Sequence, residues 1–390
     1  MKISGTVILK KGKEVSVLRF HPWVFSGAIQ SVDGAVEDGN WVRVTDVKGR
    51  VLGFGHYQKG TITVRIISFS PETPSDRFWK EKIFAAYQQR LSTGVVSAST
   101  NAYRLVHGEG DGLSGLIIDF YNGVAVMQSH SWGMHNDRMA IADAIKEILG
   151  SDVSVYYKSQ STLSGVKQNE YLLGMTVAPH IILEHHHRFY VDWEEGQKTG
   201  FFLDQRENRK ALSELANNKT VLNTFCYTGG FSVYALQAGA KRVHSVDASE
   251  KAIELTRKNI ELNGFDSQLH PSFVADVFDF MVDKKDQYDL IILDPPAFAK
   301  HKDARHQAMR GYQRLNAEAM RMIKPGGIIF TFSCSQVIDR QLFYDTVVSA
   351  AIQAGREIKV LHHLSQPADH PVSIYHPEGE YLKGLALYVL

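Results

Sequence analysis

The C-terminal half of the chain alternates apolar strand patterns with helix patterns. The first predicted strand, KTVLNTFCYTGG, leads into a glycine turn and is followed by the predicted helix FSVYALQAG. The next predicted strand, RVHSVDAS, is followed in the same way by the predicted helix EKAIELTRKNIELNG. HPSFVAD, YDLIILDPP and IIFTFSCS continue the alternation up to a closing strand, LKGLALYVL. Strands that alternate with helices predict a parallel sheet with crossover helices. In the second helix, Ser249 is the predicted N-cap and Asn263-Gly264 the predicted end.

Three aspartates stand at successive predicted strand ends: Asp247, Asp276 and Asp294. Each alone could be a helix cap or a turn residue. The carboxyl ends of parallel strands, however, meet in one crevice, where open sheets bind ligands. Together with Gly229 and Gly230, which let a ligand approach the backbone, the aspartates predict a nucleoside site. The turn CYTGGFS lacks the G-x-G-x-x-G pattern of dinucleotide binding, which argues against a nicotinamide oxidoreductase.

Cys334 ends the predicted buried strand in GGIIFTFSCSQ, so we expect its thiol in the same crevice as Asp294. Most free cysteines are small buried hydrophobes, and this residue considered alone favours that interpretation. A thiolate is nevertheless a strong nucleophile that needs only access and a lowered pKa. Beside the glycine turn and the three aspartates, the nucleophile becomes the better interpretation.

The first seventy residues are predicted to form a small β domain. Its β-rich runs, separated by turn residues, are GTVILK, EVSVLRF, NWVRVTD, RVLGFGHY and TITVRIIS. His21, Trp23 and Phe25 are interpreted as buried packing residues, and PETPS at 71–75 as a linker. Beyond it, DRFWKEKIFAAYQQRL predicts a helix, RLVHGEGDGLSGLIIDFYNGVAVMQ a hairpin and MHNDRMAIADAIKEIL another helix.

Length and composition limit the class of protein. A chain of 390 residues predicts two or three domains, and 44% hydrophobic with 22% charged residues is ordinary for a globular protein. Two cysteines suit a reducing interior, the N-terminus lacks a signal-peptide pattern, and no apolar run approaches the roughly 20 residues of a membrane helix. We therefore expect a cytoplasmic protein without a membrane partner. The consecutive histidines 185–187 point in successive directions, so no metal is expected.

The net charge is only +1, but it is unevenly distributed. Residues 1–20 carry a net charge of +4, with Lys11 and Lys13 among the cations. Residues 300–324 carry +5, and their cations include Lys300, Lys302, Arg305 and Arg310. A charge run is usually a solvated face. Because the second run begins close after Asp294, contact with phosphate is an equal alternative for it.

Several motifs, in their order, resemble those of a known family. NTFCYTGGFS, SVDAS, AD, LDPPAFAK and FSCS resemble the motifs of class I S-adenosylmethionine-dependent methyltransferases. HPWVFSGAI, RLVHGEGDGLSGLIID, GQKTGFFLDQR and HPEGEYLKGLALYV narrow the likeness to the bacterial 23S ribosomal RNA 5-methylcytosine methyltransferases of the PUA-domain type. The resemblance covers essentially the whole chain. It implies an α/β protein with an RNA-binding, β-rich PUA domain at 1–72, a small central α/β domain at 73–183 and a Rossmann-like methyltransferase domain at 184–390.

The resemblance also implies roles for individual residues. S-adenosyl-L-methionine is the implied cofactor, with Asp247 at the ribose hydroxyls and Asp276 at the adenine amino group. The residues expected to bind it are Asn223, Phe225, Tyr227, Thr228, Gly229, Gly230, Asp247, Ala248, Asp276, Asp294, Pro295 and Arg206. The residues expected at its junction with the target base or over the pocket are Asp294, Pro295, Pro296, Lys198, Phe201 and Asp204–Arg206. The residues expected to contact RNA are Lys300, Lys302, Arg305, Arg310, Lys11 and Lys13.

The implied reaction explains the need for a cysteine. Carbon 5 of cytosine becomes nucleophilic when the Cys334 thiolate adds at carbon 6, and Asp294 can hydrogen-bond the base near N3. The base must leave any stack, which suits a loop or bulge in the RNA. Another branch of RNA 5-methylcytosine enzymes has a second cysteine beside the corresponding proline, and DPPAF has none. Cys226 is interpreted as packing, so the group that assists release of Cys334 stays unidentified.

Two other functions stay open at this point. A ribosomal RNA guanine methyltransferase shares the DPP-x-F motif but has no need of a thiol at position 334. A non-catalytic RNA-binding assembly factor would need neither the thiol nor the aspartates. The expected partner is 23S ribosomal RNA, either naked or in an early assembly particle. The target nucleotide and the oligomeric state, with a homodimer as one option, also stay open.

Overall fold

The computed structural model describes residues 1–282, 287–299 and 301–390, except for the side chain of Lys302. Over these residues the chain forms an N-terminal and a C-terminal unit. The N-terminal unit contains Met1–Ile182, Val191–Leu203 and Ala368–Gly379. The C-terminal unit contains Leu183–Tyr190, Asp204–Pro367 and Glu380–Leu390. The division into domains at 1–72, 73–183 and 184–390 stays a prediction.

The first sheet of the N-terminal unit comes from the β-rich runs at the start of the chain. Its strands are β1 (Ile3–Leu9), β2 (Trp23–Phe25), β3 (Ile29–Asp33), β4 (Trp41–Thr45), β5 (Val51–Tyr57) and β6 (Ile62–Ser68). Their order is β2-β6-β5-β4-β1-β3, with β1 parallel to β4 and the other neighbours antiparallel. Alternate residues of a strand face one side. Val7 and Leu9 of β1 and Val42 and Val44 of β4 therefore share one core.

The predicted strand EVSVLRF is wrong, because Val15–Leu18 form a short helix, α1. The backbone of this segment makes helical hydrogen bonds: Leu18 N donates to Glu14 O at 2.9 Å, and Arg19 N donates to Val15 O at 3.1 Å. Only Val17 of the helix is buried, so the alternating pattern reflects one buried position and not the inner face of a strand.

The second sheet of the N-terminal unit has the strand order β11-β10-β9-β8-β7. Its strands are β7 (Ala102–His107), β8 (Leu116–Tyr121), β9 (Val124–Ser129), β10 (Ser154–Tyr157) and β11 (Glu170–Leu173), and its helices are α2 (Phe78–Ser92), α3 (Trp132–Asn136) and α4 (Arg138–Leu149). The predicted order of helix, hairpin and helix is confirmed. The second predicted helix is interrupted at Asp137, whose carboxylate accepts a hydrogen bond from Trp41 Nε1 at 2.7 Å. A short hairpin follows, made of β12 (His180–Glu184) and β13 (His187–Val191).

The predicted alternation of strand and helix in the C-terminal half is confirmed. The strands are β14 (Thr220–Thr224), β15 (Arg242–Asp247), β16 (Ser272–Val274), β17 (Tyr288–Leu293), β18 (Ile323–Ser333), β19 (Ile358–Ser365) and β20 (Lys383–Val389). The helices are α5 (Arg206–Ser213), α6 (Gly230–Gln237), α7 (Glu250–Leu262), α8 (Val277–Met281), α9 (Arg305–Met322) and α10 (Arg340–Ala354). Ser249 caps α7 as predicted, since its side chain accepts from Ala252 N at 3.3 Å. Among the described residues, no helix has both the length and the apolar content needed to cross a membrane.

The sheet of the C-terminal unit is mixed and not purely parallel. Its order is β16-β15-β14-β17-β18-β20-β19. The strands β14 to β18 are parallel to one another, whereas β20 runs antiparallel to both β18 and β19. The sequence analysis did not predict β19. This strand lies at the edge of the sheet and most of its side chains are not buried, so its sequence lacks the apolar run of a central strand.

The order of the strands reverses beside β14, and that is where a crevice opens in such a sheet. Thr224, the last residue of β14, pairs with Val246 of β15 on one side and with Leu293 of β17 on the other. Asp247 and Asp294 each follow one of these partners along the chain. The register therefore brings the predicted strand-end aspartates to the same end of the sheet as the glycine turn.

Candidate active site

The loop Asn223–Gly230 connects β14 to α6 and has an unusual backbone. Phe225 and Tyr227 adopt positive φ values of 53° and 47°. Helix α7 holds the loop from outside, because Thr256 Oγ1 donates to the carbonyl oxygen of Tyr227 at 2.8 Å. Asn259 Nδ2 likewise donates to the next carbonyl oxygen, that of residue 228, at 2.8 Å. These contacts hold the loop at the carboxyl end of the sheet.

Gly229 is needed in this loop for two separate reasons. Its φ of 75° is in the left-handed region, which favours glycine. A Cβ at this position would also lie 2.7 Å from Thr256 Cγ2, much closer than van der Waals contact. The glycine thus lets the loop pack against α7, while the close approach of a ligand to this backbone stays a prediction.

Asp247 ends β15 beside this loop. Its Oδ2 accepts a hydrogen bond from Tyr227 N at 3.0 Å, and its Oδ1 accepts from Ser249 N at 2.9 Å. Each oxygen of a carboxylate can accept a second hydrogen bond. The half-buried carboxylate therefore binds the loop and can still accept bonds from two hydroxyl groups of a ligand. The neighbouring Ala248 is exposed.

Asp276 follows β16 and is the N-cap of α8. Its Oδ1 accepts from Phe278 N at 2.8 Å and from Asp279 N at 3.2 Å. In the described part of the chain both of these bonds use Oδ1, which leaves Oδ2 of the exposed side chain as an acceptor. Asp276 can therefore be both a helix cap and a ligand-binding residue, the two roles that the sequence left open for it.

Asn223 contributes a buried polar atom at the start of the loop. Its Nδ2 donates to Ser232 Oγ at 2.9 Å, and Ser232 Oγ lies 2.6 Å from Ser245 Oγ. Its Oδ1 is buried and has no hydrogen-bond partner within the described residues. An unpaired buried acceptor carries a free-energy cost. A ligand with an N–H donor would satisfy it, so this atom fits a cofactor that carries an ammonium group.

Asp294 lies next to the segment that was predicted to cover the pocket. Gln205 Nε2 donates to Asp294 Oδ1 at 2.9 Å, and Asn208 Nδ2 donates to Gln205 Oε1 at 2.6 Å. Tyr381 donates its hydroxyl hydrogen to Asp204 Oδ2 at 2.7 Å. The start of α5 thus contacts Asp294 through Gln205, which the sequence analysis did not single out within Asp204–Arg206.

Arg206 was predicted to bind the cofactor, and the structure puts its guanidinium in a buried charge cluster. Its Nε lies 3.6 Å from Glu184 Oε2. Arg209 donates to both oxygens of the same carboxylate at 2.8 Å, and Tyr234 donates to it at 3.1 Å. Glu184 is fully buried, so these partners balance its charge.

Cys334 follows the last residue of β18 and is half-buried. Leu293, the last residue of β17, pairs with Thr331 near the end of β18. The segments that follow these two neighbouring strands therefore begin at the same edge of the sheet. Burial raises the pKa of Tyr312 of α9 to about 12, and the negative charges of a Cys334 thiolate and of Asp294 act in the same direction. The Ser333 hydroxyl donates to Tyr312 Oη at 3.0 Å. The predicted thiol and carboxylate therefore lie in one neighbourhood.

Two further residues of this neighbourhood were missed in the sequence analysis. One is Tyr312, which lies inside α9 and has no local sequence signal. The other is Lys383, whose ammonium donates to the carbonyl oxygens of Ser335 at 2.6 Å and Ile338 at 2.5 Å. The only sequence signal for Lys383 was its place in the motif HPEGEYLKGLALYV.

The second cysteine has the properties of a packing residue. Cys226 is buried in the loop, with its Sγ 3.7 Å from Thr256 Oγ1. Burial, and then the charge of Asp247, raises the pKa of Cys226 to about 12. Its thiol is consequently protonated near neutral pH, in agreement with the packing interpretation.

The residues predicted to contact RNA are distributed over both units. Lys11 and Lys13 are exposed in the N-terminal unit. The C-terminal unit carries the exposed Arg310 and the half-buried Arg305, whose guanidinium lies 3.8 Å from Asp339. Lys300 and the side chain of Lys302 lie outside the described residues. The pocket-covering candidates Lys198 and Phe201 belong to the N-terminal unit, and that role stays a prediction.

Within the described residues, one group of potential metal ligands occurs away from this site. His21, His376 and Glu378 of the N-terminal unit each place a ligand atom within 4.8 Å of the others. His21 Nδ1 is already engaged by the backbone N–H of Trp23 at 3.2 Å. His376 and Glu378 approach to 3.8 Å, which is longer than a hydrogen bond. The histidine run at 185–187 is not part of the group.

Comparisons with known proteins agree with this geometry. Residues 141–377 match the S-adenosylmethionine-dependent methyltransferase family, and residues 7–69 match the PUA-like domain family. Ribosomal RNA large subunit methyltransferase I of Aeromonas hydrophila is 38% identical over 397 residues, covering 99% of each chain. The chain belongs to this methyltransferase family. The enzyme of the same name from Shigella boydii is 37% identical and covers 100% of each chain.

Solved structures of other methyltransferases share the fold. A methyltransferase crystallised with S-adenosylhomocysteine aligns over 100% of both chains with a TM-score of 0.85 at 24% identity. An S-adenosylmethionine-dependent methyltransferase from Streptococcus mutans aligns equally completely, with a TM-score of 0.84 at 23% identity. The α/β fold with an N-terminal PUA-like domain is thereby confirmed. As a member of its family, this methyltransferase uses S-adenosylmethionine, and the predicted cofactor is confirmed.

Proposed function

We propose that this methyltransferase transfers a methyl group from S-adenosylmethionine to carbon 5 of a cytosine in 23S ribosomal RNA. The observation that carries the proposal is the half-buried Cys334 thiol at the end of β18, beside Asp294 at the end of the neighbouring β17. The names of the relatives support RNA of the large ribosomal subunit as the substrate. The presence of a thiol at the site supports cytosine, because methylation of a guanine nitrogen needs no covalent nucleophile.

The loop Asn223–Gly230 and the strand-end aspartates bind the cofactor in this proposal. Asn223 Oδ1 accepts from the ammonium of the methionine part, and Asp247 accepts from the ribose hydroxyls. Asp276 Oδ2 accepts from the adenine amino group. The bound cofactor supplies an electrophilic methyl group on sulfonium sulfur. Pro295 lies buried beside Asp294, between this pocket and the target base.

Cys334 makes the cytosine ring reactive. Its Sγ forms a bond to carbon 6, which leaves carbon 5 as an enamine-like nucleophile that accepts the methyl group. A base then removes the proton from carbon 5, the double bond between carbons 5 and 6 forms again, and the Sγ–C6 bond breaks to return the thiolate. Asp294 hydrogen-bonds the ring near N3, where it stabilises the adduct. Cys226 takes no part, since its thiol stays protonated.

Surface cations and exposed aromatic rings support an RNA substrate. Lys11 and Lys13 are exposed near the start of α1. Phe20 and Phe25 are 49% and 45% exposed, although Phe25 was predicted to be buried. Cations neutralise phosphate, and unpaired bases stack on aromatic rings. We infer that the N-terminal unit binds an unpaired strand, and that Arg305 and Arg310 contact phosphate from the C-terminal unit.

The state of the substrate is part of the proposal. A base that must leave its stack is most accessible in naked RNA or in an early assembly particle. Such RNA is found in the cytoplasm, where we place the reaction. A homodimer stays a prediction, which sedimentation of the free and RNA-bound protein tests.

The decisive experiment identifies the product and the covalent step together. We expect 23S RNA incubated with labelled S-adenosylmethionine and the wild-type protein to yield labelled 5-methylcytosine, and Cys334→Ala to yield none. RNA that carries 5-fluorocytosine lacks the proton that must leave carbon 5, so the wild type should form a stable covalent complex with it. Cys226→Ala, the matched control, should still form this complex.

Other outcomes identify the alternatives. A labelled methylguanine would show a guanine methyltransferase, and no transfer to any RNA would favour a binding factor. Full transfer by Cys334→Ala would refute the covalent mechanism.

A further inference from the structure

The pairing of β18 with β20 puts Lys383 opposite the residue that precedes Cys334. Lys383 is the first residue of β20, and the residue opposite it is Ser333. Only 4% of Lys383 is exposed, although lysine is rarely buried without a partner. A lysine at this position is therefore held inside the C-terminal unit, next to the candidate nucleophile.

The ammonium of Lys383 holds the loop that follows Cys334. It donates to Ser335 O at 2.6 Å and to Ile338 O at 2.5 Å, and both carbonyls lie between Cys334 and the start of α10. An ammonium has three N–H donors, and these carbonyls take two of them. The same loop is also held by Ser335 Oγ, which donates to Ala299 O at 2.7 Å. The backbone beside the thiol is thus held by the first residue of β20 and by the segment that follows β17.

The other charges around this pair are mostly negative. Besides the thiolate, Glu380 and Asp339 act to raise the pKa of Lys383, and Arg340 acts to lower it. Burial is the largest effect and lowers the pKa of Lys383 to about 8, so its ammonium is still protonated at pH 7. Asp294 adds another negative charge, as its effect on Tyr312 shows, while Tyr312 itself stays neutral. Negative neighbours disfavour a thiolate, and a cation is needed to offset them.

We propose that Lys383 is a positioning residue for the reaction: its buried ammonium holds the loop after Cys334 and supplies the positive charge that keeps Cys334 ionised. The inference rests on the proposed function, in which Cys334 is the nucleophile. Attraction between two charges is mutual, so the cation that a Cys334 thiolate stabilises also stabilises that thiolate. Cys334 can then be ionised at neutral pH despite Asp294.

The test measures ionisation of the thiol without any RNA. The full-length protein is treated with iodoacetamide from pH 5 to pH 9, and peptide mass spectrometry gives a separate alkylation rate for each cysteine. We expect the rate at Cys334 to rise with a midpoint below the ordinary thiol pKa of about 8.5. Cys226 serves as the internal control, since burial raises its pKa to about 12 and keeps its rate low.

Variants separate the charge of Lys383 from its hydrogen bonds. Lys383→Met removes both and should raise the midpoint at Cys334 by at least one pH unit, which lowers the rate at pH 7 about tenfold. Lys383→Gln keeps N–H donors without the charge and should show the same shift. Lys383→Arg keeps the charge and should restore the low midpoint. Binding of S-adenosylhomocysteine checks that each variant is folded. If Lys383→Met is not folded, the comparison of the Cys334 midpoints in Lys383→Gln and Lys383→Arg tests the inference.

Two results overturn the inference. One is a midpoint of the Cys334 alkylation rate at or above about pH 8.5 in the wild-type protein, a result that tests the inference without any variant. The other is an unchanged midpoint in a folded, uncharged variant, which would leave Lys383 with packing alone. These results are distinct from failure of the proposed function, which shows as transfer by Cys334→Ala whatever the ionisation of the thiol.

Discussion

An aspartate at the end of a parallel strand can hold the adjoining loop and a ligand at once, because each carboxylate oxygen accepts more than one hydrogen bond. Asp247 accepts from two backbone N–H groups, one in the loop after β14 and one at the N-cap of α7. Asp276 caps α8 through a single oxygen. We therefore expect the loss of either carboxylate to affect cofactor binding more than folding.

Asp247→Asn should weaken binding of S-adenosylhomocysteine about ten- to a hundredfold, because hydrogen bonds to a charged acceptor contribute about 1.5–3 kcal/mol. Asparagine has one acceptor oxygen and can keep only one of the two backbone hydrogen bonds, so we expect the fold to persist with a small loss of stability. Isothermal titration calorimetry measures the affinity. Glu254→Gln is the matched control, since it neutralises an exposed carboxylate on α7 and should bind like the wild type. Equal affinity for Asp247→Asn would remove this residue from the cofactor site.

Among the elements, helix α7 supports the loop Asn223–Gly230. Its Thr256 and Asn259 donate to consecutive loop carbonyls, as described above. Asn259 Oδ1 also accepts from Tyr190 N of β13 at 2.8 Å, and Asn263 Nδ2 donates to Arg188 O at 2.7 Å. One helix face therefore joins the loop to the hairpin strand, and the loop can keep its positive φ values only while α7 stays in place.

Gly229→Ala should both destabilise the protein and weaken S-adenosylhomocysteine binding. The left-handed backbone alone costs about 1–2 kcal/mol for a residue with a Cβ, and here the Cβ would also meet Thr256 at 2.7 Å. Gly264→Ala is a matched control: its φ of 77° is nearly the same, yet among the described residues its Cβ meets no heavy atom within 4 Å. Urea unfolding and calorimetry should show a similar backbone cost in both variants but weaker binding only for Gly229→Ala. Wild-type binding by that variant would show that the loop tolerates displacement.

In the proposed function, the residues that contact RNA belong to both units. The N-terminal unit presents Lys11 and Lys13 near exposed phenylalanines, and the C-terminal unit presents Arg305 and Arg310 on α9. Cations that neutralise phosphate make binding depend on salt, with a contribution from each contact. A nearly neutral chain can bind RNA in this way because its positive charge is local.

Replacing both Lys11 and Lys13 by Gln should weaken RNA binding and reduce its salt dependence. The slope of log K against log salt concentration should fall by about 1 for each lost phosphate contact. Fluorescence anisotropy over a range of salt concentrations measures it. Lys48→Gln with Lys59→Gln removes the same charge from other exposed positions of the N-terminal unit and is the control. Equal slopes for the two double variants would mean that Lys11 and Lys13 act only through net charge.

The local sequence pattern was sufficient to predict secondary structure wherever residues close in sequence decide it. The alternation of apolar strands with helices, the Ser249 cap and the glycine turn could all be predicted, because backbone preferences and burial periodicity act over a few residues. The strand ends followed from the same pattern, so Asp247, Asp294 and Cys334 were predicted at one end of one sheet. EVSVLRF shows the limit: an alternation with one buried position, at Val17, fits a strand and a short helix equally.

Contacts between distant segments were decided only by the tertiary structure. Arg206 has a motif context that indicates the cofactor, yet it lies against Glu184, because the buried carboxylate needs cationic partners. Lys383 is brought beside Cys334 by an antiparallel register between strands that are far apart in sequence. The amino acids themselves determined which strands form and which side chains stand at their ends. The order and register of those strands decided which charges surround the thiol, because pairing depends on packing over the whole sheet and not on any local run of residues.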